Sequence, residues 1–448
     1  MVSRSAEGID CSLKGLLRIS APVAFSMLSG TLMQILDRVM LSHYSLEAMN
    51  GAAVASQVLD TFILPLLSFA TVSEVIVGQL NGSRQQKRTA IPIAQITLFL
   101  LSCLLVLMPL FIRYEEVLLP KSLHGEGLPY FRLGMYAFPF YIIFSSLSAF
   151  FVGTRRPFVI IPCVVIANIL NAVLDVVLIF GMGPIPAMGA LGAAWASFAA
   201  ALAQCLVLLL FFVSPSHAKT YATRKLRFDA SLFRKNIILG APYAVSEFVE
   251  MCVWVAVSWF LEAVSTTELT LHTVAVVLWI FFLFVLEGFQ KGVMALASNS
   301  IGAGLDENLK RLLGSMAKLT MWGAGVMSLP LVVVPKFVLK IVFDIHDAAT
   351  LQEGAVVLIL LWVSLVLVLF ITSGLGGILS AGGDTTFLMV IKTLSIILCV
   401  ALPGWYAWSN GRLTAVVVWV LSGVQAVFNG VCFLMRYRSR KWKHSLAQ

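Results

Sequence analysis

Three groups of residues in this chain combine types and spacings that suit cation chemistry. Asp37 stands in the apolar stretch LMQILDRVMLSHY, one helical turn after Gln34. Asn168, Asn171 and Asp175 recur at i, i+3 and i+7, which puts their oxygens on one stripe of one helix. Glu247 and Glu250 stand at i and i+3, again on one face. Carboxylate and amide oxygens converging on one point suit a small hard cation, or a proton shared between acids. Each group has a structural alternative: an interfacial Asp37–Arg38 helix end, interhelical hydrogen-bond glue from Asn168 to Asp175, and a Glu250 satisfied by neighbouring hydroxyls or helix dipoles. Glu287 and Lys291, at i and i+4, read as an internal salt bridge. Asp60, near an external mouth, and Glu74 are further acids in the second apolar stretch.

The elements that must position these residues follow from composition. Of 448 residues, 59% are hydrophobic and only 12% charged, against about 45–50% and about 25% in soluble domains. Mean hydropathy is +0.94. So few charges cannot cover a soluble surface, which excludes a soluble enzyme, a disordered chain and a secreted disulfide scaffold. Long apolar runs instead predict twelve membrane spans, over 16–40, 51–79, 91–112, 131–152, 158–182, 189–213, 236–263, 270–297, 314–343, 353–380, 386–408 and 414–435. A charge at mid-depth of such a span costs at least about 2.5–3.5 kcal/mol, so acids retained there need a reason. Removal from water favours the neutral form of a carboxyl, which suits such an acid to carrying a proton.

The polar segment 214–235 divides the chain into an N-terminal lobe (1–213) and a C-terminal lobe with a basic tail (236–448), and is expected to be a cytoplasmic linker. Alternate connections, among them those holding Arg4, Arg84, Arg155, Lys225, Lys310 and Arg438, carry most of the 31 Lys and Arg; the opposite side has few, such as Lys121 and Arg412. That bias predicts both termini in the cytoplasm. It also absorbs the net charge of +9, and no basic stripe with interleaved aromatics points to nucleic acid. The polar N-terminus is not expected to be a cleaved leader. The seven cysteines form no CxxC pair and read as small buried hydrophobes.

Landmarks recur between the halves. LRISAPVAFS opens the first span and IILGAPYAVS the seventh; VGQLNGSRQQKR closes the second and ASNSIGAGLDENLKR the eighth; FVGTRRPF follows the fourth and SAGGDTTF the tenth. The expected fold is therefore an all-α polytopic membrane protein, twelve transmembrane helices in two six-helix bundles related by a pseudo-two-fold axis.

LMQILDRVMLSHY, VGQLNGS, GTRRP, NILNAVLDVVLIFG followed by MGALGAAWAS, LGAPYAVSEFVE, SNSIGAGLDENLKR and GGILSAGGDTTF, in this order, resemble the landmarks of the multidrug and toxic compound extrusion (MATE) family, from about residue 15 to about 400. The resemblance implies the V-shaped MATE fold, alternating access and export driven by Na⁺ or H⁺ entry. Asp37 matches the family's first-helix aspartate. Asn171 and Asp175 match the fifth-helix amide–acid pair of the branch that binds cations in its N-terminal lobe; with Asp37 they would form one pocket, to which Ser197 adds a hydroxyl. Asp37, Asn171 and Asp175 would be metal ligands only in a Na⁺-coupled protein. That branch also uses a fourth-helix amide, where this chain offers Ser145, Ser146 and Ser148. Glu250 matches the glutamate of the branch that couples through its C-terminal lobe, for cation coupling or substrate binding. Its tenth-helix aspartate partner falls on Leu369 here, leaving that set incomplete, with Glu247 in partial compensation.

The resulting expectation is an antiporter, not an enzyme: no HExxH or GxSxG pattern occurs. It would export amphipathic organic cations through an apolar, acid-bearing cleft that includes Gln34, with H⁺ or Na⁺ as coupling ion and no other cofactor. The expected setting is a bacterial plasma (inner) membrane, with the bilayer and cationic substrates as partners, as a monomer. The alternative is a flippase of lipid-linked oligosaccharides or peptidoglycan precursors from the same superfamily, for which basic rather than acidic intramembrane charges are expected.

Overall fold

The computed structural model describes residues 9–119, 124–225, 227–443 and 446; Arg4 and Lys121 lie outside them. Twelve helices are long and apolar enough to cross a membrane. They are α1 (Leu13–Tyr44), α2 (Leu46–Gly82), α3 (Gln86–Leu118), α4 (His124–Gly153), α5 (Pro157–Phe180), α6 (Gly189–Phe212), α7 (Ala230–Val264), α8 (Thr266–Gly302), α9 (Glu307–Val333), α10 (Ala348–Ala381), α11 (Thr385–Ser409) and α12 (Ala415–Ser439). Most run a turn or so beyond the apolar windows because polar ends continue the helix. The ninth does not reach 343. Pro335 restricts Val334 to φ −126°, ψ 41°, and a separate short helix, Pro335–Phe343, follows.

Side-chain caps start α2, α8 and α10. Ser45 accepts from the Ala48 N–H at 3.1 Å, Ser265 from that of Thr267 at 3.1 Å, and Asp347 from that of Thr350 at 2.8 Å. Asp229 caps α7 by accepting from the N–H groups of Leu232 and Ser231, both at 3.1 Å, and pairs with Arg88 at 3.0 Å. These hydrogen bonds, the Leu232 one foremost, hold its carboxyl below the usual carboxylate range.

The repeated landmarks close in the same way. After α2, Arg84 N–H bonds Asn81 O and Gln85 N–H bonds Leu80 O; after α8, Gly304 bonds Ile301 and Leu305 bonds Ser300. After α4 and α10 the same pair of bonds joins Arg155 to Val152 and Arg156 to Phe151, and Gly383 to Ser380 and Asp384 to Leu379. All four corner residues are left-handed, with φ of 63°, 72°, 61° and 85° at Arg84, Gly304, Arg155 and Gly383. In the first half that conformation is forced on arginine, at about 1–2 kcal/mol each.

The chain forms two compact units, Phe25–Ala244 and Met1–Ala24 with Val245–Leu446. The division falls at the same place in each repeat, after the last alanine of APVA in α1 and of APYA in α7. Residues 214–235 lie within the first of these units. There α4 is central, packing on α2, α3 and α6, while α5 packs on α6. Ile96, Phe131, Phe138 and Ile142 are buried in its core. In the other unit α10 takes the central place, against α8, α9 and α12. Large apolar side chains such as Leu105, Ile169, Trp259, Met321 and Trp322 are exposed, as lipid-facing residues of spans must be. Cys11, Cys163, Cys205 and Cys399 are buried; Cys252 instead is exposed on α7, where its place on the helix turns it away from packed neighbours.

Three π-helical turns lie in the second half among the described residues: Leu329–Val333, Leu369–Gly376 and Ile396–Ala401. The first contains Pro330 and the third precedes Pro403. Widening the helix there relieves the clash between a proline ring and the carbonyl four residues earlier.

Candidate functional site

In the first unit, α1, α5 and α6 bring Asp37, Asn171, Asp175 and Ser197 together. Asp37 is 5% exposed, and Asn171 and Asp175 are fully buried. The i, i+4 spacing of Asn171 and Asp175 aims both at α1. Ser197 Oγ donates to Asp37 Oδ2 at 3.1 Å. The Asn171 amide, oriented so that its hydrogen bonds are satisfied, places Nδ2 3.0 Å from Asp37 Oδ1 and 3.2 Å from Asp175 Oδ2, donating to both. Asp37 and Asp175 thus flank one amide nitrogen across α1 and α5. Asp175 Oδ1 is buried with no partner among the described residues.

Neither aspartate forms an ion pair with a described Lys or Arg. Arg38 is exposed and reaches Asp37 only as a more distant charge. Asn168, one turn before Asn171, is not part of this network: its amide donates to Ser29 Oγ on α1. Gln34 is exposed and lines a pocket with Asp37, Arg38, Leu41, Ala52, Ser56 and Tyr130.

Two side chains of that pocket escaped the sequence reading. Ser56 on α2 and Tyr130 on α4 line the pocket together, and Tyr130 sits one residue before the apolar window from which the fourth span was drawn. Tyr130 and Tyr141 stand three helical turns apart, a same-face spacing that marks the pair. Ser146 of α4, by contrast, is fully buried and its hydroxyl meets no partner among the described residues.

In the second unit Glu247 and Glu250 do share one face of α7. Opposite them stands Lys392 of α11, its Nζ 3.3 Å from Glu247 Oε1 and 4.0 Å from Glu250 Oε2. Trp254 stands one turn on from Glu250 along α7. The internal salt bridge expected of Glu287 and Lys291 does not close. Glu287 is drawn by both Lys291 and Lys392 and repelled by Glu247, and it pairs directly with neither lysine. Leu369 is buried at the first residue of the π turn in α10, beside Gly323 of α9.

The MatE family model matches residues 22–177 and 242–405. Among curated relatives, the multidrug resistance protein NorM of Vibrio cholerae is 25% identical over 272 residues, 58% of each chain. The probable multidrug resistance protein YoeA of Bacillus subtilis is 24% identical over 279 residues, 59% of each. The chain thus spans under two thirds of the length of these relatives. Solved structures are alike over nearly their whole length: a MATE in the straight conformation (TM-score 0.82, 12% identity, 97% of this chain and 99% of that one), the eukaryotic MATE transporter AtDTX14 (0.81, 18%, 97% of each), and a MOP superfamily transporter from Pyrococcus furiosus (0.81, 15%, 98% and 99%). With the family model covering most of both helical halves and the twelve-helix fold shared, the chain belongs to the MatE family of multi-pass membrane transporters.

Proposed function

We propose that this transporter exports amphipathic organic cations in exchange for protons, with Asp37, Asn171 and Asp175 as the coupling site. The observation that carries the reading is a pair of buried carboxyls bridged by one amide, with no described Lys or Arg paired to either. Such a pair holds one proton between two acids, and a second proton, or its loss, changes the charge of a buried site by a full unit. Ser197 and Asn171 supply donors that keep the remaining charge solvated. Coupling then requires only that the proton bind one access state better than the other.

Asn171 also defines the competing ion. With its nitrogen toward the acids, the site is a ring of donors and one proton. Turned over, its oxygen would join the two carboxylates in a three-oxygen cradle for Na⁺, and Asp37, Asn171 and Asp175 would be its ligands. An amide that donates to both acids favours the proton. Gln34, with Tyr130 behind it, is assigned to the substrate side of the same pocket, and Glu247 and Glu250 to a separate role in the second lobe. The setting we infer is the inner membrane of a bacterium with both termini cytoplasmic, as the basic connections dictate, and a single chain as the working unit. The multidrug resistance names of the relatives support the substrate class.

The test is efflux of a fluorescent organic cation from proteoliposomes, with a pH gradient and a Na⁺ gradient imposed separately, on wild type and Asp37→Asn. The expected result is transport driven by the pH gradient in wild type and none above background in the variant. Full retention of driven efflux in Asp37→Asn would overturn the site. Failure of either gradient to move any cation would overturn drug export and direct the assay to flipping of lipid-linked substrates.

A further inference from the structure

The acids of the second unit carry a feature that the first lacks. Glu247 and Glu250 converge on a single ammonium, that of Lys392, at 3.3 and 4.0 Å. The lysine is the better buried member, its side chain 16% exposed against 32% and 33% for the glutamates. It lies in the last turn before the π segment Ile396–Ala401, inside a span, where an unpaired ammonium is costly. Glu287 and Lys291 of α8 are the other charges that face this cluster, so three carboxylates meet two ammoniums. Trp254 lies one helical turn from Glu250 on α7.

An ammonium is a compact point charge with three donors and no acceptor, close in charge and size to a dehydrated monovalent metal ion. Two carboxylates one helical turn apart, with oxygens within 4.0 Å of one point, are what such an ion requires. We propose that the Lys392 ammonium stands where a mobile cation would sit: the second unit carries a tethered cation, and Glu247 and Glu250 form a latent site for a monovalent metal ion that opens only when the lysine is removed. In the wild-type protein the pair is therefore neutralised from within and takes no ion from either side of the membrane. Leaving two half-buried carboxylates inside a span without that ammonium creates an uncompensated charge, and Na⁺ is the counter-ion of matching chemistry. Lys392 thereby sets which half of the molecule carries the coupling ion. The inference depends on the proposed cation coupling only for its choice of probe.

The experiment is equilibrium binding of radioactive ²²Na⁺ to the purified full-length protein in lipid nanodiscs, at fixed pH and ionic strength. Wild type, Lys392→Met, Lys392→Arg and Lys392→Met combined with Glu250→Gln are compared. Lys392→Met is expected to bind one more Na⁺ per chain than wild type, Lys392→Arg to match wild type, and the double variant to return to the wild-type count. Trp254, one turn from Glu250, predicts that the added ion also changes tryptophan fluorescence saturably with Na⁺. An unchanged Na⁺ count in monodisperse Lys392→Met overturns the proposal; it would mean that the glutamates take up protons instead. If Lys392→Met does not purify as a monodisperse protein, Glu250→Gln alone decides. An unchanged Na⁺ count supports the resident lysine, and loss of one ion overturns it. The readout is a difference from wild type at the second unit, so Asp37→Asn, which tests the coupling site of the first, leaves it untouched, and the two readings fail separately.

Discussion

The two halves of this transporter place acid pairs on comparable helix faces and give them opposite chemistry. In the first, Asp37 and Asp175 meet across α1 and α5 with an amide and a hydroxyl around them and no lysine or arginine paired to them. In the second, Glu247 and Glu250 meet an ammonium from α11. Two buried acids alone must share a proton or recruit an ion; two acids with a lysine between them need neither. The difference teaches that a count of intramembrane carboxylates does not locate a coupling site. What sets the proposed site apart is the absence of a matching base among the described residues, and that absence is a property of the packed structure rather than of the helix that carries the acid.

The sharpest way to break the comparison is to make the first half resemble the second. Ser197 Oγ is already 3.1 Å from Asp37, so Ser197→Lys puts an ammonium beside the aspartates. The expected outcome is loss of gradient-driven efflux to background with both acids intact, read in the proteoliposome assay; retained coupling would mean that a base beside the pair is harmless. A smaller effect is expected from Asn171→Ala, which removes the donor shared by Asp37 and Asp175. Losing one coupling element of about 1–3 kcal/mol corresponds to on the order of 5–150-fold weaker coupling. It should appear as a steeper pH gradient needed for the same efflux, while substrate binding in the absence of a gradient stays near wild type. The smallest effect belongs to a group far from both acid pairs. Asp229→Asn removes the ion pair with Arg88 and weakens the cap of α7. A carboxyl held below its ordinary range stabilises the fold above its unfolded-state pKa and loses that contribution as pH falls through the folded value. Wild type should therefore lose thermal stability on acidification through that low range more steeply than the variant, with transport unchanged near neutral pH.

Much of this was legible in the chain. Twelve apolar windows give twelve helices, because a span must satisfy its own backbone and so declares itself by length. Asn171 and Asp175 were legible because their partners sit on the same helix stripe, and Asp37 through the family resemblance. Lys392 was not: it lies in IKTLS of an apolar window, and Glu247, which it pairs with, is 145 residues earlier. Periodicity reports neighbours along one helix and is silent on neighbours from another. The same blindness hid Ser56 and Tyr130, and it made Glu287 and Lys291 read as an isolated pair when a second lysine pulls on the glutamate. The break at Val334 was missed for a different reason. Val332 to Val334 before Pro335, and Phe337 to Leu339 just after Lys336, keep the window apolar, and hydropathy does not register a missing N–H.

The first helix also has a consequence in time. Its opening turns, up to Ala24, belong to the unit built from the second half of the chain. There Ser20 and Ala24 lie so close to α8 that a methyl group added at Gly292 or Gly288 would fall 1.9 Å from Ser20 Oγ or 2.5 Å from Ala24. Those glycines leave the ribosome roughly 260 residues after Ala24, on the order of 13–50 s later at about 5–20 residues per second. Through that interval the start of the chain is already synthesised and its final neighbours do not exist. A segment made early is thus packed late, once the eighth helix has followed it.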